Sequence, residues 1–184
     1  MKKKALIFMV TAVFFICIPG LQVFAESVEP DEATELIESV VHVTRLEFIA
    51  DIFGDIIAGY EGTYTTFSDV SEEHAAIVAA AVHFKIANGH DDGTFGPHEI
   101  ITSEQAVAMS VKFLGLRDHA LALSDEFLYG QDLPFWITPY YKWIAAYHEE
   151  LMPLFTVGAP ASAELIEMLR EIIAEYLSEH VDRF

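Results

Sequence analysis

Two matching helix starts, 58 residues apart, constrain the fold of this chain most strongly. Thr44-Arg45-Leu46-Glu47 and Thr102-Ser103-Glu104-Gln105 each place a hydroxyl at the N-cap and Glu or Gln three residues later. Such a capping box satisfies two unpaired backbone N–H groups at the start of a helix. Each box precedes a run of apolar residues at helical spacing that ends near a glycine. The sequence therefore predicts two helices of the same design at the same point of a repeated unit.

A third helix start is expected at Ala161-Ser162-Ala163-Glu164, where Glu164 follows Gln105 by 59 residues. A fixed period with matching local chemistry indicates internal repeats. Apolar residues at three- and four-residue spacing run from Leu165 to Leu177, and residues 75–86 are rich in alanine. Period-two alternation is scarce. We therefore predict an all-α protein in which helical repeats with short connecting loops share one core.

The first 25 residues have the pattern of an export signal. Lys2-Lys3-Lys4 precede an apolar run that reaches about Ile18, and Val23-Phe24-Ala25 offers a small-residue cleavage pattern. The run is shorter than the roughly 20 residues that span a bilayer, so we expect a cleaved signal peptide at residues 1–25 and a secreted protein. An uncleaved membrane anchor is the alternative. The single cysteine, Cys17, lies in this segment, so the mature protein would have neither disulfides nor thiol chemistry.

Acidic residues dominate the chain. It carries 29 Asp and Glu against 10 Lys and Arg, a net charge of −19, which becomes −22 once residues 1–25 are removed. Such a surface repels nucleic acid and anionic lipid, so we expect neither nucleic acid nor, after signal cleavage, a membrane as a partner. Carboxylate pairs such as Glu72-Glu73 are typical of solvated faces, and the sequence has no nucleophile-elbow or phosphate-cradling motif. We therefore expect no enzyme activity.

Three motifs follow one another between Phe67 and Leu116. They are Phe67-Ser68-Asp69-Val70, Gly89-His90-Asp91-Asp92-Gly93-Thr94-Phe95-Gly96-Pro97 and Ile100-Ile101-Thr102. In this order they resemble the S-layer homology (SLH) repeat, whose signatures are Phe-x-Asp-Val, Gly-x-x-Asp-Gly-Thr-Phe-x-Pro and Ile-Thr-Arg-Ala-Glu. Phe67 and Phe95 are expected to be buried anchors of their turns.

The same resemblance organises the rest of the chain. Residues 44–62 resemble the second half of a preceding repeat, and residues 26–43 would be an acidic leader or the remnant of its first half. Residues 67–116 form the middle repeat, and residues 127–180 resemble a diverged third one. Residues 44–184 are thus expected to form one SLH-like domain with pseudo-threefold arrangement and grooves between its repeats.

The resemblance implies non-covalent attachment to a secondary cell-wall polysaccharide at the bacterial surface, often through pyruvylated sugars. In the family, the arginine after the helix cap is the expected partner of the sugar carboxylate, to which a guanidinium can donate two parallel hydrogen bonds. Arg45 stands at that position, whereas Ser103 and Ser162 are expected at the corresponding places. A surface salt bridge to nearby carboxylates is the alternative role of Arg45.

The candidate glycan-binding residues are Arg45, Thr44, Gly89, Gly93 and Trp136. Arg45 would meet the acidic group, Trp136 would stack on a sugar, and the turn amides of Gly89 and Gly93 would complete the groove. For the glycines, the alternative is a conformational role in the turn. The aromatic residues that follow Trp136 are expected in the core.

Two further interpretations concern metals and partners. Asn88, His90, Asp92 and Glu99 have the spacing of a calcium loop, but His90 is a poor ligand there, so we expect no metal and no other cofactor. The alternative to polysaccharide binding is a non-binding scaffold that recruits a protein partner in the cell envelope. The missing half-repeat and the serines at two arginine positions favour that alternative.

Overall fold

A computed structural model describes residues 42–62 and 65–180 of the chain. The signal peptide predicted at residues 1–25 and nearly all of the leader lie outside the described residues. The helices are α1 (Arg45–Ile57), α2 (Ala75–His83), α3 (Ser103–Phe113), α4 (Arg117–Ala122), α5 (Thr138–Tyr147) and α6 (Ala163–Glu179), with 3-10 helices at Asp125–Leu128 and Glu149–Leu154. The only β-structure in the described ranges is two isolated bridges, so the all-α prediction is confirmed.

Both capping boxes are formed as predicted. Thr44 Oγ1 accepts from the Glu47 N–H at 3.2 Å at the start of α1, and the Glu47 carboxylate accepts from the Thr44 N–H at 2.8 Å. Thr102 and Gln105 make the same reciprocal pair at the start of α3. The starts of these helices are therefore fixed by their own local sequence.

The third helix start differs from the prediction by one residue. Ser162 is the N-cap of α6, and its Oγ accepts from the Leu165 N–H at 3.1 Å. Ala161 has no side-chain acceptor and is buried, so the hydroxyl one place later caps the helix instead. Ser162 therefore corresponds to the capping threonines, and Ala163 follows the cap as Arg45 does. The correspondence of Ser162 with Arg45 was wrong.

Short antiparallel bridges join the three helix starts. Thr44 pairs with Ile100, and Thr102 pairs with Pro160. Ile101 links the two bridges, because its N–H donates to the segment before α1 and its C=O accepts from the segment before α6. The N-terminal ends of α1, α3 and α6 are thereby held side by side.

One hydrophobic core takes residues from all six helices, as the repeat interpretation predicts. Phe48, Phe53, Phe95 and Leu165 are fully buried in it. Phe67 is partly buried, and its ring lies 5.4 Å from that of Phe95 between centroids. These two rings fix the loop between α2 and α3 against the core.

Among the described residues, no helix combines the length and the apolar content that a membrane crossing requires.

Candidate functional site

Arg45 is buried in the first turn of α1, with 6% of its surface exposed. Its Nη2 donates to the carbonyl oxygen of Asn88, and its Cζ lies 4.7 Å from the centroid of the Phe95 ring. Its Nε has no hydrogen-bond partner among the described residues. Leaving a buried N–H of a charged group without an acceptor is costly. A ligand that brings a hydrogen-bond acceptor to this atom would remove that cost.

Two forces of opposite sign act on the charge of Arg45. Burial lowers its pKa, while the carboxylates of Glu99 and Asp69 act from a distance to raise it. None of the ion pairs within 4 Å in the described ranges involves Arg45. The salt bridge considered as the alternative role of Arg45 is therefore not formed there.

A cavity of about 310 Å³ opens beside Arg45. Its walls are the loop 86–90, the face of α3 from Gln105 to Lys112, and Trp136. It adjoins a larger cavity of about 800 Å³, with which it shares Asn88, Lys112 and Trp136. The two cavities together form the basic groove.

Positive charge is concentrated in the basic groove. Arg45, Lys85, Lys112 and Arg117 line it, and they are four of the six Lys and Arg residues in the described ranges. Asp118 is the one carboxylate among the described lining residues, and it pairs with Arg117 at 3.3 Å. In a chain of net charge −19, this groove is the place that attracts an anion.

Lys112 shows that these charges act on one another. Burial lowers its pKa, and the positive charges of Arg45 and Arg117 lower it further. Its Nζ lies 6.0 Å from the centroid of the Tyr140 ring, at the limit of a cation–π contact. An anion in the basic groove would relieve this repulsion.

Lys85 stands at the edge of the groove in a strained backbone conformation. The end of α2 is a Schellman motif in which the Ile86 N–H donates to the Ala81 carbonyl at 2.9 Å. This motif puts Lys85 at φ 59°, whereas Gly115 takes the same place after α3 at φ 70°. A side chain in the left-handed region costs on the order of 1 kcal/mol. This cost in folding stability falls on Lys85, the residue that brings a fourth cation to the groove.

Three of the five predicted site residues meet in the basic groove, namely Arg45, Gly89 and Trp136. Trp136 is 50% exposed, whereas Tyr140, Tyr141 and Trp143 are buried, as expected for core residues. A Cβ at position 89 would overlap the Phe67 ring, so any residue other than glycine would have to displace that ring. The N–H of Gly89 has no hydrogen-bond partner in the described part of the chain.

The other two predicted residues do not line the groove. Thr44 is engaged in its capping box. Gly93 adopts φ 84°, and its N–H donates to the His90 carbonyl at 3.1 Å, so this amide is used inside the turn. Both residues therefore have a local role in the backbone of their own segments.

Ser103, at the position that corresponds to Arg45, has a structural task. It is buried, its Oγ donates to the Thr156 carbonyl at 2.6 Å, and it accepts from the Thr156 N–H at 3.0 Å. Neighbouring Glu104 accepts from the Gly158 N–H at 3.1 Å. Ser103 and Glu104 together thus hold the turn before α6.

The residues with calcium-loop spacing are occupied by local contacts. His90 Nε2 lies 3.3 Å from Glu99 Oε2, and Asp92 Oδ1 accepts from both the N–H and the hydroxyl of Thr94. The described residues contain no group of three His, Cys, Asp or Glu side chains arranged to hold a metal ion.

Sequence reasoning missed Lys85, Lys112 and Arg117. They lie far apart in sequence, and no motif joins them. One signal was available: in so acidic a chain, four cations lie between residues 45 and 117, and only two more occur before residue 183.

Residues 66–107 match the family model of the S-layer homology domain. The resemblance to the SLH domain seen in the motifs is thus confirmed over these residues. SLH domains are binding modules for cell-wall polysaccharide and mark proteins associated with the cell surface or cell wall. No curated protein and no solved structure gives a significant match to the chain.

Proposed function

We propose that this protein attaches non-covalently to the bacterial cell wall by binding an acidic secondary polysaccharide, such as one with pyruvylated sugars, in the basic groove. The observation that carries the proposal is the buried Nε of Arg45, which has no acceptor among the described residues and belongs to a side chain that lines the smaller cavity. A sugar carboxylate is the acceptor that suits it, because hydrogen bonds between ionised partners are about twice as strong as neutral ones.

The rest of the groove supports the same ligand. Trp136 is half-exposed at the junction of the two cavities and offers a ring face to a pyranose. The N–H of Gly89 is available to a sugar oxygen. Lys85 and Lys112 supply positive charge to the groove. The larger cavity of the basic groove, about 800 Å³, leaves room for more than one sugar unit.

The predicted organisation of the chain completes the proposal. Residues 1–25 would direct export and be removed, and residues 44–62, 67–116 and 127–180 would be two and a half repeats. Among the three positions after a helix cap, Arg45 alone carries a cation, since Ser103 and Ala163 occupy the others. One groove therefore takes the acidic sugar.

Co-sedimentation with isolated cell walls tests the proposal. The purified protein should pellet with intact walls, and binding should be lost once the secondary polysaccharide is stripped. Arg45→Gln should weaken binding by about tenfold or more, the loss expected for a charge-assisted hydrogen bond.

Arg170→Gln is the matched control. It removes the same charge, but Arg170 pairs with Asp51 and does not line the basic groove. This variant should bind walls as the unchanged protein does. Failure to pellet with either wall preparation would reject attachment and leave the scaffold alternative, whereas equal loss in both variants would reject the specific role of Arg45.

A further inference from the structure

A second groove, of about 410 Å³, lies apart from the basic groove and shares no lining residue with it. It is bounded by the residues that follow α3, by α4, by the C-terminal turn of α5 and by the C-terminal half of α6. Its volume is within the range of small-molecule sites. Nothing in the proposed polysaccharide binding uses it.

Aromatic rings form much of its walls. Trp143 and Tyr147 stand one turn apart on α5, and Tyr176 faces the groove from α6. Trp143 is buried and contacts the His148 ring at 4.4 Å between centroids, while Tyr147 is half-exposed. The Tyr147 hydroxyl is hydrogen-bonded to His119 Nε2 at 2.7 Å. These contacts hold the Trp143 and Tyr147 rings in place in the wall of the groove.

Two carboxylates complete the lining. Glu175 and Glu179 are exposed one turn apart on α6, beside Tyr176. Neither carboxylate has an ion-pair or hydrogen-bond partner among the described residues, and none of the described lining residues is Lys or Arg. The two lining histidines are engaged elsewhere, His119 with the Tyr147 hydroxyl and His148 with the Glu150 carboxylate. The charge of this groove is thus opposite to that of the basic groove.

Rings combined with carboxylates select one ligand chemistry. A metal ion prefers several oxygen ligands and gains nothing from aromatic walls. An alkylated ammonium group carries a positive charge under an apolar shell, so it can contact ring faces and carboxylates together. We propose that the second groove binds a small ligand that bears an alkylated ammonium group, with Glu175 and Glu179 as its counter-charges.

Titration of the purified protein with choline tests this proposal, with tryptophan fluorescence as the readout. The chain has two tryptophans, so a Trp136→Phe background leaves Trp143, in the second groove, as the sole reporter. The neutral isostere 3,3-dimethyl-1-butanol has the same shape without the charge. Choline should bind about tenfold more tightly than the isostere, as expected for cation–π contacts assisted by carboxylates. Phosphocholine should bind more weakly than choline, because its phosphate meets the two carboxylates, and this arm separates a free ammonium ligand from a lipid headgroup.

Charge-removing variants complete the test. E175Q/E179Q keeps the shape of the groove and should abolish the preference for choline over the isostere. E72Q/E73Q removes two exposed charges outside the groove and should leave the preference unchanged. Equal affinity for choline and the isostere in the unchanged protein, or a choline preference that survives E175Q/E179Q, would overturn the proposal. Neither result depends on whether the basic groove binds polysaccharide.

Discussion

The guanidinium of Arg45 lies 4.7 Å from the centroid of the Phe95 ring. Phe95 is itself held by Asp69, whose carboxylate accepts from the Phe95 N–H at 2.7 Å and from the Gly96 N–H at 2.8 Å. Asp69 thus fixes the backbone that carries the Phe95 ring, and that ring supports Arg45, the first residue after the N-cap of α1. Residues from three separate segments therefore position one cation.

Replacing Arg45 by methionine should separate binding from stability. Met fills similar space over Phe95 but removes a buried charge that has no carboxylate within 4 Å among the described residues. The stability gained by removing that charge is offset by the loss of the hydrogen bond to the Asn88 carbonyl. The free energy of unfolding should therefore change by less than about 1 kcal/mol, while wall binding weakens by about tenfold or more. Urea denaturation and co-sedimentation measure the two effects, and a loss of about 3 kcal/mol would show that Arg45 is a structural residue.

Asp69→Asn should weaken the fold in a pH-dependent way. Burial opposes ionisation of Asp69, but the hydrogen bonds from Phe95 and Gly96 outweigh it and leave the pKa of this carboxyl below its ordinary value. A carboxyl whose pKa is lower in the folded than in the unfolded state stabilises the fold at pH values above its unfolded pKa of about 3.9. This stabilisation is lost as the pH falls through its folded-state pKa. At neutral pH the variant should lose about 1 kcal/mol, and the difference from the unchanged protein should shrink in acid.

The control for Asp69 is Asp91→Asn, in the exposed turn between α2 and α3. Urea denaturation from neutral to acidic pH should show a pH-dependent difference for Asp69→Asn. At neutral pH Asp91→Asn should cost less than Asp69→Asn, because nothing in the described residues bonds to its exposed side chain as Phe95 and Gly96 bond to Asp69. A difference for Asp69→Asn that grows in acid would contradict the sign derived from its pKa.

Capping chemistry explains why so much of the fold could be predicted. The boxes at Thr44 and Thr102 involve residues three apart, so their geometry is already complete in the sequence. The start of α6 was misplaced by one residue because three small residues, Ala161, Ser162 and Ala163, precede Glu164, and the choice of cap depends on which one the core buries. That choice falls on Ala161, which leaves Ser162 to cap the helix.

The groove was less predictable because burial and long-range placement create it. Arg45 and Trp136 were identified from the family pattern and from residue type. Lys112 looks like any helical surface lysine in the sequence, and its position against Tyr140 is set by the packing of α3 on α5. Lys85 reaches the groove because its backbone adopts the left-handed conformation after the end of α2, and residue propensities disfavour this conformation for lysine.

Lys142→Met should loosen the segment that follows α4. Lys142 is 3% exposed, and its Nζ donates to the carbonyls of Leu121 and Leu123 at 3.0 and 2.7 Å and to Asp125 at 3.1 Å. Methionine would leave the carbonyls without this donor, at a cost of about 2 kcal/mol. Thermal denaturation should show the loss, and amide hydrogen exchange should accelerate over residues 117–128.

The partner of Lys142 provides the control. Asp125 has 86% of its side chain exposed, so Asp125→Asn should cost less than about 0.5 kcal/mol, as exposed ion pairs usually do. If Asp125→Asn destabilised the protein as much as Lys142→Met, the ion pair rather than the carbonyl contacts would hold this segment.

Wall binding should weaken in alkaline solution because of Lys112. Burial and the charges of Arg45 and Arg117 lower the pKa of this lysine, so its proton is lost below the value of about 10.4 for an unfolded chain. As pH rises through the lowered pKa, the groove loses a positive charge and its affinity for an acidic polysaccharide falls by about tenfold. Lys112→Arg keeps its charge at these pH values and should reduce the decline. Co-sedimentation across the alkaline range compares the two proteins; parallel declines would mean that Lys112 does not meet the bound anion.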